Sequence, residues 1–69
     1  MNHILESTNT ELLELERQIA HNWRMKNHYR KCAMNSHVDV VEQARLMEME
    51  QLYLRRWIEC SRRYEAMRH

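Results

Sequence analysis

A chain of sixty-nine residues holds one small domain at most. A core of that size seldom supplies more than roughly 3–5 kcal/mol unless disulfides, a metal or a partner add to it. Gly, Pro and Phe are absent, 30% of the residues are charged, and 11 Lys and Arg against 10 Asp and Glu leave a net charge of +1. Without Gly or Pro there are no glycine-rich phosphate loops and no nucleophile elbows, and β-rich folds that depend on tight turns are excluded. A charge this close to neutral gives no bulk signal for nucleic acid.

No stretch approaches the ~18–20 consecutive apolar residues of a membrane-spanning helix. Met1-Asn2-His3-Ile4-Leu5-Glu6 lacks the basic and apolar regions of a signal peptide. Two cysteines, Cys32 and Cys60, are too few for a disulfide framework. The expectation is a cytoplasmic protein without a membrane segment.

The first helix signal is Thr8-Asn9-Thr10-Glu11, where Thr8 as N-cap and Glu11 three residues on would form a capping box. From there Leu12, Leu15, Ile19, Asn22, Lys26, Tyr29 and Ala33 recur at alternating spacings of three and four, an a/d seam that is polar in its middle. Trp23 and Met25 flank the polar stretch. The spacing predicts a helix over 8–34. Asn35 and Ser36 favour a turn at 34–37, with Ser36 and Asp39 marking the next helix start. So short a connection predicts an antiparallel hairpin, with the second helix over 37–67.

That second helix carries two apolar stripes. One is Val40, Ala44, Met47, Leu54 and Ile58, interrupted by Gln51; the other is Leu46, Met49, Tyr53, Trp57, Cys60, Tyr64 and Met67. At about 100° per residue they lie roughly 120° apart, so one neighbouring helix covers only one of them. Charge order also favours a hairpin. Residues 6–16 hold Glu6, Glu11, Glu14 and Glu16 and no base, whereas residues 17–31 hold Arg17, Arg24, Lys26, Arg30 and Lys31 and no acid. The second helix repeats acids first and bases last, so folding back sets unlike halves side by side and suits each helix dipole.

Candidate chemistry is sparse. His28 and Cys32 are one turn apart, with His21 and His37 nearby, but no second ligand pair has zinc-like spacing, so no metal and no cofactor are expected. Cys32 near the turn and Cys60 near the open end would lie on the order of 30 Å apart, beyond disulfide reach. Two helices give Cys60 no sheltered base or pocket, so neither an enzyme nor a small-molecule substrate is expected. Arg45, Arg55, Arg56, Arg62 and Arg63 form a broad arc. It is either a phosphate-contacting face for RNA or a solvated surface partly neutralised by pairs such as Glu42–Arg45 and Glu59–Arg63. The aromatic stripe Leu46, Met49, Tyr53, Trp57, Cys60, Tyr64, Met67 is the strongest signal, because Tyr, Trp and Met are enriched at interfaces.

Leu12-Leu13-Glu14-Leu15-Glu16 in the first helix, and Leu46-Met47-Glu48-Met49-Glu50-Gln51 followed by Tyr64 in the second, resemble the co-chaperone family of type III secretion needle subunits. Those proteins are helical hairpins that dock on another chaperone, and the resemblance implies a similar partner here. In topology alone the chain also resembles the Rop family of dimeric plasmid copy-number regulators, whose hairpins form four-helix bundles on paired RNA loops. The expectation is an all-α antiparallel hairpin completed to a bundle by itself, as a homodimer, or by another protein. It would act as a non-catalytic adaptor, chaperone-like protein or assembly subunit through the aromatic face of the second helix, with Tyr53 and Trp57 as anchors. The alternative is a Rop-like dimer binding RNA through the arginine arc.

Overall fold

The computed structural model describes the backbone of residues 2–68 and the side chains of residues 9–68. It contains two antiparallel helices, α1 (Asn2–Ala33) and α2 (Val40–Arg68). The all-α hairpin expected from the sequence is the fold. Thr8 lies inside α1, so the helix does not start there: nothing in Asn2–Ser7 breaks a helix, and the run continues upstream. The side chains of Glu6 and Thr8 fall outside the described residues.

The chain reverses direction at 34–39 without a glycine. Asn35 Oδ1 accepts the His37 N–H at 3.0 Å. The Asn35 carbonyl accepts the Val38 N–H at 3.2 Å, and the Asn35 N–H donates to the Cys32 carbonyl at 3.2 Å. No described residue has a positive φ, so the turn uses only conformations open to ordinary side chains. With Asn35 organising the turn, Ser36 sits within it and the cap falls to Asp39. Asp39 Oδ1 accepts the Glu42 N–H at 2.8 Å, and its carbonyl accepts the Gln43 N–H at 2.8 Å. Gln43 Nε2 in turn donates to the Ala33 carbonyl at 3.0 Å, which satisfies an open end of α1 and ties it to α2.

All seven seam positions of α1 are covered. Leu15, Asn22 and Ala33 are buried, and Leu12, Ile19, Lys26 and Tyr29 are half-buried. These three are the only buried residues among those described, and α2 has none. The backbone measures 57 × 14 × 12 Å with a radius of gyration of 16.2 Å. A compact domain of this length would have about 11 Å. The hairpin is therefore a rod with a seam, and it has almost no interior.

The expected charge halves do lie side by side. Glu11 and Glu14 share a groove with Arg63, and Arg30 shares another with Glu50. No cross-helix ion pair closes within 4 Å among the described residues; Glu14–Arg17 and Glu65–Arg68 both join neighbours on one helix and are exposed. Glu42–Arg45 and Glu59–Arg63, expected from their spacing, do not close either, because long exposed side chains gain little from pairing.

Candidate functional site

The aromatic stripe of α2 faces α1. Trp57 packs on Trp23 with ring centroids 4.8 Å apart and planes tilted 46°. Tyr53 stacks on Tyr29 at 5.7 Å and 17°, and His21 meets the Tyr53 ring edge-on at 6.2 Å. Lys26 Nζ lies 3.6 Å from the Trp23 ring centre, and the Arg56 guanidinium lies 5.2 Å from that of Tyr53. Leu46, Met49, Tyr53, Trp57, Cys60, Tyr64 and Met67 are all half-buried. Expected as an outward docking face, the stripe is instead the hairpin's own seam. The reason is area: facing α1 with Trp and Tyr covers more apolar surface than facing it with Val, Ala and Met. The signal lay in α1, where Trp23 and Tyr29 supply the aromatic partners that Trp57 and Tyr53 pack against.

Polar groups cross the seam beside the aromatics. Buried Asn22 donates through Nδ2 to Cys60 Sγ at 3.7 Å, and Cys60 Sγ donates to Gln18 Oε1 at 3.4 Å. Gln18 Nε2 donates to Glu14 Oε1 at 3.5 Å. Toward the open end, the Tyr64 hydroxyl donates to Glu16 Oε1 at 2.7 Å. That bond holds the phenol proton and raises the Tyr64 pKa above its ordinary 10.0; partial loss of water and the Glu16 charge add to the rise, and Arg68 opposes it.

Because the aromatic stripe turns inward, the other stripe is left largely uncovered at its turn end among the described residues. Val40 is 81% exposed and Met47 53%, and Val41 and Ala44 are exposed beside them. Leu54 and Ile58 continue the same line and are half-buried. Ala44, Met47, Glu48, Gln51 and Arg55 line a shallow, largely apolar groove along this side.

Arg45, Arg55, Arg56, Arg62 and Arg63 are all exposed. They are not a uniformly basic face: Arg56 and Arg63 line one groove together with Glu59, and Arg63 lines another with Glu11 and Glu14. His28 Nε2 lies 3.7 Å from Cys32 Sγ, but no group of three or more His, Cys, Asp or Glu among the described residues could hold a metal. Cys32 and Cys60 are both free thiols. No helix among the described residues is long and apolar enough to cross a membrane.

Fold and surface together define a class, a helical hairpin with one apolar stripe spent on its own seam and a second one open at its turn end. No protein-family model matches the chain, and no curated protein or solved structure matches it.

Proposed function

We propose that the protein is a non-catalytic, cytoplasmic helix-docking module, working as a chaperone-like adaptor or a small assembly subunit. The observation that carries this is the face from Val40 to Ile58, apolar at every seam position except Gln51 and open to solvent at its turn end. Soluble proteins seldom leave such a stripe uncovered in their working state. The resemblance in layout to needle-subunit co-chaperones supports the adaptor part, and two unpaired cysteines are in keeping with a reducing compartment. The docking residues differ from those the sequence suggested, since Tyr53, Trp57 and Tyr64 are engaged by α1. The arginine arc is the weaker basis for a function, because Glu11, Glu14 and Glu59 share its grooves and oppose phosphate binding.

The test is site-specific photo-crosslinking in cells, with the reactive residue at Met47 and, as a control, at exposed Arg24 on the outward side of α1. Protein adducts at position 47 and none at position 24 are expected. The absence of any adduct at position 47 would refute a docking role for this face.

A further inference from the structure

Resting on that reading of the Val40–Ile58 face as a docking surface, we infer that its occupant is a second copy of the chain, running antiparallel and centred on Gln51. The exposed area sets the scale. The chain presents 5,896 Å² to solvent. A globular monomer of 8.6 kDa presents about 4,700 Å². The excess, about 1,200 Å², belongs to the whole rod, and a standard interface takes roughly 800 Å² from each partner.

The spacing sets the partner's shape. Val40, Ala44, Met47, Gln51, Leu54 and Ile58 alternate by four and three, the pattern of a helix that packs along another helix. Charge sets the partner's identity and direction. Glu48 and Arg55 flank this line on the same side, nearly equidistant from Gln51, and share its groove. Both are exposed, and neither has an ion pair within the hairpin among the described residues. An antiparallel second copy brings each Glu48 opposite the other copy's Arg55, and the two-fold axis makes the contact twice. A parallel copy would instead need Glu50 to meet Arg55, and Glu50 is turned into the hairpin with one carboxylate oxygen buried. At the centre, Gln51 meets its own copy, where an amide both donates and accepts, and one polar residue in an apolar line fixes register.

Sedimentation equilibrium on the full chain tests this with E48R, R55E and the E48R/R55E double variant, each checked for unchanged helix content by circular dichroism. The parent is expected to dimerise. Each single reversal sets like charges together twice and should weaken dimerisation about tenfold, and the double variant should return to within about threefold of the parent. A helical parent that stays monomeric at every concentration overturns the proposal, as does a double variant no better than either single one. The mass of the Met47 crosslink separates the two levels: an adduct of another protein's mass removes the second copy but keeps the docking surface, whereas no adduct removes the surface itself.

Discussion

Replacing Trp57 with alanine removes one half of the closest aromatic pair in the hairpin, 4.8 Å between ring centroids. Trp57 is half-buried, so it covers roughly 100–150 Å² of apolar area, worth about 2.5–4 kcal/mol at ~25 cal/mol/Å². The ring pair adds about 1 kcal/mol beyond area. A loss of about 3.5–5 kcal/mol is therefore expected, as much as a chain this small has to lose. Urea unfolding followed by circular dichroism measures it, with W57L as a milder variant that keeps apolar bulk and gives up chiefly the pairing of about 1 kcal/mol. A double-mutant cycle with W23A should give a coupling of about 1 kcal/mol. If Trp57 pointed outward to a partner, W57A would leave the stability of the isolated chain within about 0.5 kcal/mol and the coupling near zero. That result would refute the seam described above.

Three further changes probe separate parts of the fold. D39A removes the carboxylate that accepts the Glu42 N–H at 2.8 Å and should cost about 1 kcal/mol in urea unfolding, with D39N nearly neutral. N22L replaces a buried amide, 7% exposed, whose partner is a thiol at 3.7 Å; stability should rise by about 1 kcal/mol, and a fall would show that the amide stabilises rather than specifies the seam. The Tyr64 pKa is raised in the folded state by the bond to Glu16, so its stabilisation is complete below the unfolded value near 10 and is lost as pH rises through the folded value. Y64F should lack that alkaline decline in a pH series of melting curves, and an unchanged decline would place its origin elsewhere.

The hairpin was legible because its signals are local and repeated. The three-and-four spacing from Leu12 to Ala33 marks the seam of α1, every position of which is covered. The ends were read less well. The capping pattern at Thr8 is a real local preference, but nothing upstream stops the helix, so α1 runs through it. At the turn, the sequence pointed to Ser36 as the helix start with Asp39 three residues on, but the Asn35–His37 hydrogen bond keeps Ser36 in the turn and Asp39 is the cap. The sequence also showed that one stripe of α2 must remain uncovered, but periodicity alone does not say which. The choice depends on what α1 offers, and Trp23 and Tyr29 draw Trp57 and Tyr53 inward. Interface-type residues were thus spent on the intramolecular seam, and the plainer Val40, Ala44 and Met47 became the candidate docking face.

The central claim is that this hairpin is incomplete alone and that the Val40–Ile58 face is covered in its working state. Light scattering and circular dichroism on one dilution series test it most directly. Helix content that falls in step with dissociation, or a chain that stays poorly helical until a partner is added, is the expected result. A helical monomer, equally stable at every dilution and indifferent to M47E, would contradict it.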